Sequence, residues 1–213
     1  KMKMVLIYSG GLDSTTLLYD LIARSHEVAA LTFDYGQRHK REIQSAQGIC
    51  EEKGIEHKII NLSAISDIFG NNSLTSDLEV PEGHYAEPSM KQTVVPNRNM
   101  ILLSLATAWA ISLRADEVAY AAHSGDHAIY PDCRPVFVKA LKEAISLADW
   151  HELVLSTPYL SMNKTDIVTR AAELNIPFEK TWSCYQGGNM HCGRCGTCYE
   201  RKEAFKNAGV QDT

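Results

Sequence analysis

Tyr8-Ser9-Gly10-Gly11-Leu12-Asp13-Ser14-Thr15-Thr16 is the stretch whose reading decides the fold. Met4-Val5-Leu6-Ile7 precedes it, a short apolar run of the kind that forms a strand buried on both faces. Leu17, Leu18, Leu21 and Ile22 follow at helical spacing, so the stretch sits on a strand-to-helix turn. A helix start offers unpaired N–H groups and a partial positive charge to an anion. Gly10 and Gly11 let the backbone approach a ligand closely, and Ser9, Ser14 and Thr15 add hydroxyl donors. Neither G-x-x-x-x-G-K-[ST] nor G-x-G-x-x-G occurs here, which removes the Walker and dinucleotide readings. A plain Gly-Gly turn, with Asp13 or Ser14 capping the helix, is the competing reading.

The Ser-Gly-Gly-x-Asp-Ser order resembles the pyrophosphate loop of the N-type ATP pyrophosphatases. Those enzymes split ATP into AMP and pyrophosphate to activate an oxygen of an acceptor. The resemblance implies a nucleotide-binding α/β domain of the adenine nucleotide alpha hydrolase kind, with the triphosphate over the loop.

Outward from the loop, the chain alternates. Val28 to Phe33 reads as a second buried strand, ending at Asp34-Tyr35-Gly36-Gln37. A helix from about His39 to Lys53 is stopped by Gly54, and Glu56 to Ile60 is a third strand. This alternation predicts a doubly wound parallel sheet, with Ser9-Gly10-Gly11 and Asp34-Tyr35-Gly36 on the rim where ligands bind. Ser63 to Val95 holds a short helical piece (Ile65, Ile68, Phe69), then a stretch rich in Asn, Ser, Pro and Gly that reads as a lid. Pro96-Asn97-Arg98-Asn99 opens an apolar helix from Met100 to about Arg114, and Glu117 to Ala121 is a fourth strand. Pro135 suits the first turn of a further helix, Leu153 to Leu155 is a fifth strand, and Asn163 with Asp166 caps a helix reaching Leu174.

The 213 residues suit one domain with a small appendage, here divided at 1–180 and 181–213 and expected to pack as one unit. No apolar run approaches the roughly 18 residues a membrane span needs. Lys1-Met2-Lys3-Met4 runs straight into the first strand, which leaves no room for a cleavable leader and points to the cytoplasm. A net charge of −5 argues against stable nucleic-acid binding, and Arg38-His39-Lys40-Arg41 reads as a solvated first helical turn.

Six cysteines without an export signal read as thiols or metal ligands. Cys184, Cys192, Cys195 and Cys198 form C-x7-C-x2-C-x2-C with glycines between them, which fits one closed, structural tetrahedral zinc site per chain. An iron–sulfur cluster is the rival, and His191 is a possible substitute ligand. Cys50 reads as a core thiol of a helix.

Taken in order, several runs resemble one family over nearly the whole chain, the 7-cyano-7-deazaguanine synthases. They are Ser9 to Thr16, Thr32 to His39, Pro96-x-Arg98-Asn99, Tyr130-Pro131-Asp132-Cys133-Arg134 with Phe137-Val138-Lys139-Ala140, Asn163-Lys164, and the last four cysteines. The resemblance implies conversion of 7-carboxy-7-deazaguanine and ammonia to the nitrile in queuosine-precursor synthesis. It implies adenylated acid and amide intermediates, Mg²⁺ with ATP, and a homodimer. On that reading Tyr8 to Thr16, Asp34 and Arg98 bind ATP; His123, Asp126, Tyr130 and Asp132 bind the acceptor; and Asp13, Ser14, Lys164 and Asp132 act in catalysis. The chain departs from the common pattern at His123 to Ile129, where many members have Glu-Thr-Asp-Phe-Ser-Gly. It departs again at Asn97, where many have Gly. A ligase that stops at the amide, or that adenylates another acceptor, is the alternative, and an ATP-sensing nucleic-acid binder is a more distant one.

Overall fold

Successive residues of β1 (Lys3–Ile7) face opposite sides of a sheet, and both sides are dry. The computed structural model describes residues 1–37, 40–84 and 87–212. Val5 packs with the apolar stripes of α3 (Arg98–Ser112) and α4 (Pro135–Ser146). Met4 and Leu6 pack on the other side with α1 (Leu12–Ala23), α2 (Arg41–Lys53) and α5 (Lys164–Glu173). The remaining strands are β2 (Glu27–Asp34), β3 (Glu56–Asn61), β4 (Glu117–Ala119) and β5 (Val154–Ser156). All pairings are parallel, in the order β3-β2-β1-β4-β5. A parallel sheet needs helices on both faces, which is why its central strands read as continuous apolar runs.

This is the expected doubly wound sheet. The chain leaves β1 towards β2 and β3, then returns across β1 to form β4 and β5. That reversal opens a crevice at the carboxyl ends of β1 and β4. Tyr8 to Gly11, Asp34 to Gly36, Tyr120 to Asp126 and the start of α5 all reach this rim. β4 stops at Ala119, two residues short of the expected end, although Tyr120 N still donates to Ser156 O at 3.3 Å. The Asn163–Asp166 capping box is present, with Asp166 N donating to Asn163 Oδ1 at 3.0 Å.

The long 63–95 stretch carries two 3₁₀ turns, Ser63–Phe69 and Pro88–Thr93. Phe69, Leu74, Val80, Met90 and Val95 are buried, so the excursion is packed on the body. Glu82 pairs in antiparallel fashion with Cys195. In the basic cluster, Arg38 and His39 lie outside the described residues. Its other two members are exposed at the start of α2, as a solvated first turn requires, and each also makes a specific contact. Lys40 pairs with Asp34 at 2.7 Å, and the Arg41 guanidinium lies 4.8 Å from the Trp182 ring. Cys50 is a buried thiol of α2.

The last helix, α6 (Gly196–Ala208), packs on α5 through Val168, Ala171, Ala204 and Phe205. Arg201 is buried on it and forms a fork with Asp212 at 2.8 and 2.7 Å, while donating to Thr181 Oγ1 at 2.9 Å. A buried carboxylate, Asp20 on α1, accepts from Arg170 on α5 at 2.6 Å and from Arg24 at 2.9 Å. These bonds fix α5, and therefore its first residue, against α1. Among the described residues no helix is long and apolar enough to cross a membrane.

Gly10 has φ +82°, and a Cβ there would lie 2.2 Å from Glu42 O and 2.7 Å from Ala46 N, both backbone atoms of α2. Gly10→Ala is therefore expected to lower unfolding free energy by about 3 kcal/mol or more, from backbone strain and overpacking together. Urea unfolding followed by circular dichroism measures this.

Candidate active site

Hydroxyl groups hold the β1–α1 loop in shape. Ser14 Oγ lies 3.0 Å from Ser9 Oγ and accepts from Ser9 N at 3.2 Å, and Ser9 Oγ accepts from Gly11 N at 3.2 Å. Gly11 is the N-cap of α1 with no side-chain cap, so neither Asp13 nor Ser14 serves in that role. The first N–H groups of α1 thus face a cavity of about 230 Å³, lined by Tyr8, Ser9, Gly11, Leu12, Asp13 and Ser14 on this side. Gly10, Thr15 and Thr16 point away. Gly10 packs on α2, Thr15 Oγ1 lies 3.2 Å from Tyr8 Oη, and Thr16 Oγ1 donates to Leu12 O at 2.7 Å.

A charged cluster closes one end. Lys164 Nζ, at the first turn of α5, lies 2.7 Å from Asp13 Oδ2 and 3.5 Å from Glu200 Oε2 of α6. His123 Nε2 lies 3.5 Å from Asp13 Oδ2 and 3.6 Å from Asp126 Oδ2. Burial opposes ionisation of Asp13, but Lys164 and His123 outweigh it and hold its pKa well below the usual carboxylate range. Burial likewise opposes a charge on Lys164, and Asp13 and Glu200 raise its pKa in spite of that. For His123, burial works against a charged ring while Asp126 and Asp13 favour one, lifting its pKa to about 9. Gly125 N lies 3.1 Å from Nδ1 and donates to it only in the neutral ring, which then carries its proton on Nε2; in either form of the ring Nε2–H faces the carboxylates. Asp13 Oδ1 is buried and has no hydrogen-bond partner among the described residues. A free carboxylate oxygen beside an anion-binding loop fits the donor chemistry of Mg²⁺.

Arg98, the first residue of α3, lines the other end. It donates to Tyr35 Oη at 3.3 Å, and its guanidinium lies 5.8 and 6.0 Å from the Tyr35 and Tyr130 rings. Tyr130 Oη lies 3.1 Å from Tyr185 Oη. Among the described residues no carboxylate is within ion-pair distance of Arg98, so it is available to an anionic substrate group. Asn97, just before it, has φ +57°, the left-handed region where Gly and Asn are the easiest residues. Asp132 and Asp34 do not line the cavity. Asp132 Oδ2 accepts from Asn99 N at 2.9 Å and so fixes the start of α3, while Asp34 holds Lys40 and accepts from Gly36 N at 3.3 Å.

Sequence reasoning passed over Glu42, Tyr185 and Glu200, all on the cavity wall. Glu42 looked like one acid of a helical turn, and Glu200 is marked only by its place two residues after Cys198.

The four cysteine sulfurs lie within 4.8 Å of one another, with Cys192 and Cys198 at 3.9 Å. A tetrahedral thiolate site with metal–sulfur bonds of ~2.3 Å needs separations of roughly 3.8 Å, so the four fit one metal ion. Backbone N–H groups of Arg194 and Cys195 donate to Cys192 Sγ at 3.4 and 3.3 Å, as expected around a ligating thiolate. His191 is not a ligand. Its Nε2 accepts from Ser183 N at 3.1 Å and its ring stacks on Trp182 at 4.5 Å. The knuckle reaches the site directly, since Trp182, Ser183, Tyr185, Thr197 and Glu200 line the cavity and Trp182 N donates to Gly10 O at 3.1 Å.

Residues 3–209 match the family model described as "Queuosine biosynthesis protein QueC". A 7-cyano-7-deazaguanine synthase of Methanoregula boonei is 57% identical over 211 residues, 99% of this chain and 97% of that one. The fold is shared with a predicted subunit of tRNA methyltransferase from Methanocaldococcus jannaschii, at a TM-score of 0.52 and 15% identity over 81% of this chain and 77% of that one. It is shared also with an NH3-dependent NAD synthetase from Campylobacter jejuni, at 0.51 and 20% over 84% and 66% respectively.

Removing one thiolate leaves the metal three protein ligands and an open position. Cys195→Ser is expected to lose metal and about 3 kcal/mol or more of stability, a fall in Tm of ~6–12 °C. Metal analysis beside a thermal melt measures both, and a variant matching the wild type in each would contradict a structural site.

Proposed function

The chain belongs to the QueC family of queuosine biosynthesis proteins, and from that premise we propose that it is a 7-cyano-7-deazaguanine synthase. It converts 7-carboxy-7-deazaguanine, ammonia and ATP to the nitrile with release of AMP and pyrophosphate. The observation that carries this reading is a single cavity that joins an anion-binding helix start, Lys164 paired to Asp13, and the uncompensated Arg98.

Attack of a carboxylate oxygen on the α-phosphorus needs positioning and charge stabilisation, with no covalent enzyme nucleophile. The N–H groups of α1, with Ser9 and Ser14, hold the β- and γ-phosphates, and Lys164 meets the charge that grows on the departing pyrophosphate. Asp13 Oδ1 would hold the Mg²⁺ that arrives with ATP and neutralises part of the triphosphate charge. Arg98 sits where the acceptor's acid group meets the α-phosphate. Tyr35, Tyr130 and Tyr185 offer hydroxyls and ring edges to a planar base, while Asp126 lines the Lys164 end and His123 stands behind it, against Asp13. Asp132 acts at one remove, by setting the direction of α3.

Ammonia then displaces AMP to give the amide, whose oxygen is adenylated in turn, and loss of the second AMP leaves the nitrile. Cys184, Cys192, Cys195 and Cys198 would hold a structural zinc, which would fix the C-terminal wall of the cavity. The protein works in the cytoplasm, a reading supported by its free cysteines, and as a homodimer, as the family resemblance implies.

Incubation with 7-carboxy-7-deazaguanine, ammonium, Mg²⁺ and ATP is expected to give AMP and pyrophosphate together with the nitrile, read by mass spectrometry. ADP and orthophosphate as acceptor-dependent products would refute the proposal, and accumulation of the amide alone would restrict it to the first half. Lys164→Ala is expected to lower kcat by roughly 10²–10³-fold, because it removes a charge aimed at the leaving group. Steady-state kinetics in ATP measures that loss.

A further inference from the structure

Every other acid on the cavity wall is engaged. Asp13 and Glu200 share Lys164, and Asp126 faces His123 and accepts from its backbone N–H at 3.4 Å. Glu42, at the first turn of α2, lines the same cavity, and among the described residues its carboxylate makes no hydrogen bond or ion pair. It is half-buried, facing the pyrophosphate loop closely enough that a Cβ on Gly11 would lie 3.9 Å from Oε1. Three ionisable groups face it: Asp13 from α1, Arg98 from α3 and Tyr35 from the turn after β2. The lone carboxylate therefore stands between the loop that takes the phosphates and the guanidinium that takes the acid group.

The reaction needs something at that junction. Ammonia exists in neutral water almost wholly as ammonium, which has no lone pair with which to attack. Its uptake calls for an anion, and its attack calls for a base. We propose that Glu42 binds ammonium beside the acyl adenylate and removes the protons that nitrogen sheds on the way to amide and nitrile. This rests on the function proposed above.

In the first half, ammonium gives one proton to the Glu42 carboxylate, and the freed lone pair forms the C–N bond to the acyl carbon. The C–O bond to AMP breaks and AMP takes the electron pair. Glu42, half-exposed, passes its proton to water and accepts a second from the new C–N nitrogen, leaving a neutral amide. In the second half the amide nitrogen loses one proton as its oxygen is adenylated. It loses the other as the remaining C–O bond breaks, AMP departs and the C≡N bond closes. Burial raises the pKa of Glu42 most, Arg98 pulls it back and Asp13 adds to the rise, leaving it at about 7, a value suited to taking and releasing protons near neutrality.

The test uses the full chain carrying Glu42→Gln, with a thermal melt to establish folding. Acceptor-dependent ATP–pyrophosphate exchange reads adenylation, which involves no ammonia. Amide formation from ammonium and hydroxamate formation from hydroxylamine, a nucleophile already neutral, read the second step. The expected result is a loss of ammonium-dependent rate that exceeds any loss of exchange by roughly 100-fold, with hydroxamate formation far less affected. Glu42→Asp, which keeps the charge but draws it back, is expected to lose about tenfold in kcat/KM for ammonium alone. Equal losses in exchange and amide formation would assign Glu42 to nucleotide or acceptor binding and overturn the proposal. So would a full ammonium-dependent rate in either folded variant. A wild-type protein that shows no exchange with 7-carboxy-7-deazaguanine would overturn the function itself, a result visible without any variant.

Discussion

The ion pair between Asp13 and Lys164 is the contact on which the arrangement of the site depends. Both groups are withdrawn from water, and an unpaired charge there would cost several kcal/mol, so each requires the other in place. Asp13 stands in the first turn of α1 and Lys164 in the first turn of α5, 151 residues apart in the chain. His123 comes to the same carboxylate from the loop after β4, and Glu200 comes to the same ammonium from α6. Four segments thus converge on one pair of charges. The Asp20 fork to Arg170 repeats the device farther along the same two helices, which keeps α5 from sliding on α1.

How much was legible in the sequence depended on the range of the physics involved. Apolar runs bounded by turn residues revealed β1 and β2, because a strand buried on both faces must be apolar throughout, whereas the edge strand β3 is largely exposed and was placed by its position in the alternation. Asn163 and Asp166 revealed a helix start, since a capping box closes within one turn. The cysteines revealed a site able to hold one metal ion for the same local reason. Side-chain direction was not legible. Thr15 and Thr16 looked like phosphate donors, yet the helix turns them into the core. Gly10 looked like a place for a ligand to approach, but what approaches is α2. Asp132 looked like an acceptor contact, and its carboxylate instead holds the first turn of α3. Glu42 and Glu200 carry no local mark, and only the tertiary fold brings them to the cavity.

The C-terminal knuckle is bound into the site more closely than its position at the end of the chain suggested. It meets the pyrophosphate loop through the Trp182 N–H, the 63–95 excursion through Glu82 and Cys195, and the charged cluster through Glu200. Three of its contacts are backbone bonds or buried charges, which tolerate little displacement. A division at residue 180 therefore separates stretches of chain while the cavity needs side chains from both.

Asn97 shows what such a site permits over longer times. The residue ahead of Arg98 must adopt a left-handed backbone, because α3 begins there and aims the guanidinium into the cavity. Most side chains lose about 1–2 kcal/mol in that region, and only Gly, Asn and Asp enter it easily. Glycine and asparagine codons differ in both of their first two bases, so a lineage moving between them passes through serine or aspartate. Aspartate is the intermediate that the backbone tolerates. The genetic code and a single torsion angle together leave one low-strain path for a change at this position that keeps Arg98 facing the cavity.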